Sequence, residues 1–112
     1  MEEVDGMKVW PSDDSTIAVF AINQETGEPT LVETANSRGA HPRTFAIDPS
    51  GKLLVSGSLV PIATRVDGKI VVDPAGLSVF RLGADGKPAF VRKYAIETGK
   101  RTQWWSGMVA LA

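Results

Sequence analysis

The chain has no cysteine, a single histidine and no excess of basic residues. Without cysteine there is no disulfide, no thiolate nucleophile and no zinc site of the cysteine type. A cysteine-free chain fits a reducing compartment, and a cytoplasmic location is expected. With His41 as the one imidazole, no multi-histidine metal centre can form, and any Ser-His-Asp arrangement would depend on that ring. Twelve Lys and Arg against 13 Asp and Glu leave a net charge of −1, so the basic footprint of a nucleic-acid binder is missing. No apolar run approaches the ~20 residues of a membrane helix. The acidic opening, Met1 to Gly6, lacks the apolar stretch of a secretory leader. The expectation is a protein without metal, cofactor, nucleic-acid partner or membrane contact.

What is present is a β pattern in an ordinary globular composition, 43% apolar and 22% charged over 112 residues. Thr16-Ile17-Ala18-Val19-Phe20-Ala21-Ile22 is rich in branched and aromatic residues and is followed by the polar turn Gln24-Glu25-Thr26-Gly27-Glu28-Pro29. Further strands are expected at 30–34, 43–47, 52–56, 76–82, 88–96 and 103–111, with a loop at 35–40. Asp48-Pro49-Ser50-Gly51 joins two of these strands as a turn, and Asp48 reads as a turn former. Asp67-Gly68 sits between branched residues, which predicts a hairpin with a type I′ turn on an insertion spanning residues 61–75. No window shows a clean helical stripe. Eleven glycines and seven prolines fall between the apolar runs and punctuate short strands.

A unit recurs. Ile17-Ala18-Val19-Phe20 matches Leu77-Ser78-Val79-Phe80; Glu25-Thr26-Gly27-Glu28-Pro29 matches Asp85-Gly86-Lys87-Pro88; Leu31-Val32 matches Phe90-Val91. With the insertion removed, the period approaches the ~40–50 residues of four-stranded propeller blades. The fold class expected is all-β, with about two four-stranded antiparallel blades: a blade remnant at 7–36, a blade at 41–96 carrying the insertion, and the first strand of a further blade at 102–111. Two blades cannot close a ring. The chain is expected to need further blades or to self-associate, because Phe20, Phe80, Trp104 and Trp105 would otherwise face solvent.

Several side chains qualify as site candidates. Arg43 can hold a phosphate or carboxylate through paired N–H donors, and His41 beside it can carry a proton. The same two residues open a strand, where they also suit a structural role, and one histidine without a partner has no assembled catalytic geometry. Asp13-Asp14 offers two carboxylates, but neighbours on a strand point to opposite faces, so a solvated turn suits them better. Trp104-Trp105 would present one ring to each face of a strand; packing between blades explains the pair better than sugar stacking. Arg92-Lys93 and Lys100-Arg101 are short basic pairs that strand alternation, or plain solvent exposure, explains. No phosphate-binding glycine loop and no Gly-x-Ser-x-Gly elbow is present.

Ser15 to Phe20, Gln24 to Gly27, and above all His41-Pro42-Arg43-Thr44-Phe45-Ala46-Ile47-Asp48-Pro49-Ser50-Gly51 resemble the β-propeller lactonase family, which includes propeller-type 6-phosphogluconolactonases and carboxymuconate-lactonising enzymes. The stretch Thr102 to Val109 resembles the C-terminal end of family members. The resemblance runs from about Val9 onward, the insertion excepted. It implies the last third of a seven-bladed propeller and the hydrolysis of a sugar-phosphate lactone, with 6-phosphogluconolactone the expected substrate. It also implies that much of the active site lies in other blades, so that the chain alone is inactive. A family arginine in a Ser-Asn-Arg-Gly string before the Ile-Ala-Val-Phe strand has Ser12 in its place here. That departure supports the alternative of a non-catalytic interaction module or a blade remnant, with the insertion as a partner-binding addition.

Overall fold

The computed structural model describes residues 1–11 and 15–111, so Ser12, Asp13 and Asp14, singled out above, lie outside the described residues. Ten strands form in chain order: β1 (Glu2–Val4), β2 (Met7–Trp10), β3 (Thr16–Ile22), β4 (Pro29–Asn36), β5 (Pro42–Ile47), β6 (Leu53–Ser58), β7 (Ile62–Val66), β8 (Lys69–Asp73), β9 (Gly76–Leu82) and β10 (Pro88–Ala95). The fold is all-β, as the spacing of branched runs and turn residues predicts. No helix among the described residues is long and apolar enough to cross a membrane.

One complete blade stands at the centre. Its four antiparallel strands lie in the order β10-β9-β6-β5. Register puts Ile47, Leu54, Phe80 and Phe90 in one row across all four strands. Period-two alternation sends that row to a single face, where Phe80 is 1% exposed and meets Phe90 edge to face with centroids 5.8 Å apart. The next row on that face is Phe45, Ser56, Ser78 and Lys93, so the apolar face turns polar toward one end of the blade. The hairpin β3–β4 stands alone as a two-stranded sheet, and β3 borders the blade's apolar face across a cleft of about 550 Å³.

The insertion forms the expected hairpin. Asp67 and Gly68 both take positive φ, 50° and 78°, the signature of a type I′ turn whose twist suits the flanking strands. Its sheet, however, differs from expectation. β7 pairs in parallel with β2, Val9 opposite Ala63 and Trp10 opposite Thr64, giving the order β1-β2-β7-β8. The stretch 7–36, expected as one blade remnant, therefore divides between two sheets. β2 carries Val9, fully buried, and stands between β1 and β7.

Residues 102–111, expected as the first strand of a further blade, have no strand pairing. A strand exists only through its ladder, and here the tail's polar groups are taken individually. Gln103 N–H donates to the Leu59 carbonyl, its side-chain amide to the Ser58 carbonyl at 2.7 Å, and Ser106 N–H to the Thr44 hydroxyl at 3.1 Å. The tryptophan pair is correspondingly open: Trp104 is 54% exposed and Trp105 83%. Phe20, at 50%, also faces out, whereas its counterpart Phe80 is covered within its own blade.

Asp48 acts as the turn former that its sequence context predicts. One carboxylate oxygen accepts the N–H groups of Lys52 and Leu53, both at 2.8 Å, and the other accepts the Ser50 hydroxyl. These bonds, that from Ser50 first, hold the carboxyl below its ordinary pKa. A lowered folded-state pKa means the stabilisation is complete above the unfolded value and disappears as pH falls through the folded one. Stability is therefore expected to fall as pH drops through and below the ordinary carboxylate range, and Asp48→Asn to flatten part of that fall. Urea midpoints measured against pH check this; parallel acid limbs for the two proteins would refute it.

Candidate functional site

The strand β4 leads into β5 through residues 37–41, and this loop together with the start of β5 carries the only histidine and two arginines within six positions, Arg38 to Arg43. Ser37 anchors it. That side chain is 1% exposed; its hydroxyl lies 2.8 Å from the Gly39 carbonyl, to which it donates, with the Ser15 carbonyl at 3.0 Å as a second acceptor. Asn36 accepts the Arg38 N–H at 2.7 Å, an Asx-type turn that bends the backbone locally. Arg38 and His41 both sit in the left-handed region, at φ 61° and 51°. For His41 this is doubly unfavourable, because a residue before proline prefers an extended conformation. Such strain persists only where surrounding bonds over-determine it.

Those bonds come from distant parts of the chain. The His41 N–H reaches the Ser15 hydroxyl at 3.2 Å, and Ser78 donates to the Arg38 carbonyl at 3.3 Å. Asp73, the last residue of β8, accepts the Ala40 N–H at 2.7 Å with one oxygen and the Lys93 ammonium with the other. Lys93 is half-buried in this ion pair, its side chain 17% exposed, while its neighbour Arg92 is exposed, as strand alternation provides. The inserted hairpin is thus bonded directly to the loop. Gly39 has no room for a side chain, since a Cβ there would collide with the Ser58 hydroxyl.

The cations themselves face solvent. His41 and Arg43 are exposed. The Arg43 guanidinium lies over the Trp104 ring at 5.5 Å and that of Arg38 over Phe90 at 4.7 Å. Stacking on an aromatic face immobilises a guanidinium while leaving its in-plane N–H donors available. Neither arginine has a carboxylate partner among the described residues, whose ion pairs are Glu2–Arg65 and Asp73–Lys93. From Ala35 to Ile47 there is no acidic residue. The arrangement can receive an oxyanion, and it contains no carboxylate to serve as a general base. No cluster of potential metal ligands occurs among the described residues. Arg43 also lines the cleft between β3 and the blade, which is otherwise bounded mainly by apolar side chains such as Val19, Phe45 and Leu54.

Of the residues singled out by sequence, Arg43 and His41 thus stand on the same loop-to-strand junction, and Trp104 joins Arg43. Arg38, Ser37 and Asp73 were not anticipated. Asn36-Ser37 ahead of Arg38-Gly39 is a local signal for a structured turn; the role of Asp73 has none, because its partners Ala40 and Lys93 lie 33 and 20 residues away.

The junction lies within a segment that known proteins share. Residues 6–59, which contain it, match the family described as Lactonase, 7-bladed beta-propeller. A protein of Formosa agariphila named 6-phosphogluconolactonase is 39% identical over 62 residues, covering 55% of this chain and 16% of the relative. A protein of the same name from Bacillus subtilis is 36% identical over 70 residues, covering 57% of this chain and 20% of the relative. The chain therefore spans a fifth or less of the length of these curated relatives. No solved structure matches it significantly. In its matched segment and in its four-stranded antiparallel blade, this chain is similar to the seven-bladed β-propeller lactonases.

Proposed function

We propose that the chain supplies part of a lactonase ring that opens a sugar-phosphate lactone such as 6-phosphogluconolactone, and that it is inactive without further blades. The observation that carries this reading is the Arg43 guanidinium, over the Trp104 ring and without a carboxylate partner among the described residues, at the junction within the lactonase-like segment. Its task is to bind the anionic end of the substrate through paired N–H donors. Water adds to the lactone carbonyl, charge develops on the carbonyl oxygen, and the ring C–O bond breaks to leave a carboxylate and a free hydroxyl, with one proton released. The group that takes the proton from water belongs to residues outside this chain. Oriented donors toward the developing oxyanion lower the barrier, and holding the phosphate fixes the carbonyl where those donors act.

Replacing the part of the Bacillus subtilis relative that corresponds to residues 15–59 with the residues of this chain is expected to retain ring opening. In that chimera Arg43→Ala should raise KM about tenfold with a smaller change in kcat, as loss of a binding contact does. The 112-residue chain alone is expected to add nothing to the spontaneous hydrolysis rate. A folded chimera without ring opening, or an unchanged KM in Arg43→Ala, would sink the proposal.

A further inference from the structure

The hairpin β3–β4 is a structural copy of β9–β10. The sequence repeat sets Thr16, Ala18, Phe20 and Ile22 against Gly76, Ser78, Phe80 and Leu82. The two hairpins share even their irregularity: Val32 is passed over in the ladder between Val19 and Phe20, as Val91 is between Val79 and Phe80. The bulge therefore lies on β4 and on β10, and β3 and β9 are regular. One difference remains. β9 has β6 on its other side and β5 beyond it, whereas that side of β3 is open. The seven residues of β3 include no charge and no proline, so this edge has none of the usual devices against strand addition.

Hydrogen-bond phase says what the edge accepts. Ser37 N–H donates to the Ser15 carbonyl at one end of the hairpin, and Asn23 N–H to the Glu28 carbonyl at the other. Alternation between these ends turns the backbone groups of Ile17, Val19 and Ala21 toward β4, and those of Thr16, Ala18, Phe20 and Ile22 away from it. β9 has the same phase. Leu82 N–H donates to the Lys52 carbonyl, so Phe80, Ser78 and Gly76 turn their backbone groups toward β6, opposite Leu54, Ser56 and Ser58. Thr16, Ala18 and Phe20 have no backbone bond on the open side among the described residues. The Gln24 side-chain amide donates to the Ile22 carbonyl at 3.1 Å and closes the end of the open stretch. Burial agrees with this reading, since Phe80 is covered where Phe20 is half exposed. The edge opens onto the cleft beside β3, whose far wall includes the exposed side chains of Phe45 and Ile47. β2, the nearest strand in sequence, is held elsewhere, between β1 and β7.

We infer that the open edge of β3 is a docking site for a β6-like strand of another polypeptide, added antiparallel, with an aliphatic side chain opposite Phe20 and small ones opposite Ala18 and Thr16. The template for this occupant is β6 itself, Leu53-Leu54-Val55-Ser56-Gly57-Ser58, in the register it holds against β9. In strand addition of this kind main-chain bonds give affinity and alternate side chains give specificity. The added strand covers Phe20 and enters the cleft toward Phe45 and Ile47. A second copy of this chain is a poorer donor, because its own β6 already lies between β5 and β9. The inference is independent of lactone chemistry, and its failure leaves the reading of Arg43 untouched.

The probe is a fluorescein-labelled peptide of residues 42–58, which holds β5, its turn and β6, titrated with the full chain and read by anisotropy. It should bind saturably, and a scrambled peptide of the same composition about tenfold more weakly or not at all. Ala18→Pro removes an outward N–H while leaving the bonds to β4 in place, and should weaken binding about tenfold. Thr34, opposite Ala18 on β4, turns its N–H to the other edge of the hairpin, so Thr34→Pro should leave binding unchanged. Circular dichroism checks that both variants keep their strand content. Amide exchange locates the contact without any variant. In the free chain Ala18 and Phe20 should exchange about tenfold faster than Ile17 and Val19, and should slow by a similar factor when the peptide is bound. No binding, equal binding of the scrambled peptide, or equal effects of Ala18→Pro and Thr34→Pro would overturn the inference. So would protection of Ala18 and Phe20 in the free chain, which would assign the edge to a second copy if it rises with concentration and to β2 if it does not.

Discussion

Phe80→Ala is expected to lose about 3–5 kcal/mol of stability, the range for emptying a buried phenylalanine site. For a domain of this size that is a large share of a total near 5–10 kcal/mol, and the variant should be substantially unfolded at 37 °C. Phe80 is the largest fully buried side chain, and it sits at the crossing of two ladders, opposite Leu54 on β6 and Phe90 on β10. The repeat supplies a matched control. Phe20 holds the corresponding position in the earlier unit yet is half exposed, so Phe20→Ala should cost well under half as much in this chain. Urea unfolding of the three proteins decides the matter; equal losses at positions 20 and 80 would show that the two blades are not packed differently.

Asp73→Ala is the second large effect. Removing the carboxylate leaves a half-buried Lys93 ammonium without its partner and the Ala40 N–H without its acceptor. Breaking a fully buried pair costs more than breaking an exposed one, and the side chains here retain 28% and 17% exposure. A loss of about 2–3 kcal/mol is expected. Adding Lys93→Met should recover part of it, because the uncompensated charge goes with the ammonium. Asp73→Asn keeps an acceptor for Ala40 and should lose less than Asp73→Ala. Amide exchange at Ala40 and His41 should accelerate in Asp73→Ala before global unfolding does. Protection unchanged at both amides would show that the loop is held by Ser37 and Ser78 alone.

What could be read from the sequence was what short spans of chain determine. Asp48-Pro49-Ser50-Gly51 and Asp67-Gly68 fold by bonds and φ angles within their own few residues, so composition reveals them. The strands β3, β6, β9 and β10 follow from branched runs between such turns. The parallel pairing of β2 with β7 escaped notice because it depends on which strand lies beside which, and Met7-Lys8-Val9-Trp10 has no feature that names Ala63 as a partner. The tail failed in the opposite sense: Trp104 to Leu111 has the residues of a strand, but without a ladder the propensity is not realised. Arg43 was legible as a cation at a strand entrance. Its stacking on Trp104, the second stacked guanidinium at Arg38, and the bond from the insertion through Asp73 arise only when segments 20 to 60 residues apart meet.

The pairing of β2 with β7 also sets an order in time. The hairpins β3–β4, β5–β6, β7–β8 and β9–β10 join neighbours in the chain and can close in ~1–10 μs once their residues are free to move. Val9 has to wait for Ala63. At synthesis rates of about 5–20 residues per second, their separation of 54 positions corresponds to a delay of about 3–10 s. During that interval Val9 and Trp10 are exposed on an unfinished sheet, while the turns ahead of them are already shaped. β1 and β2 are made well before they are secured, and a nascent chain that stalls before residue 62 leaves them without the strand that holds them.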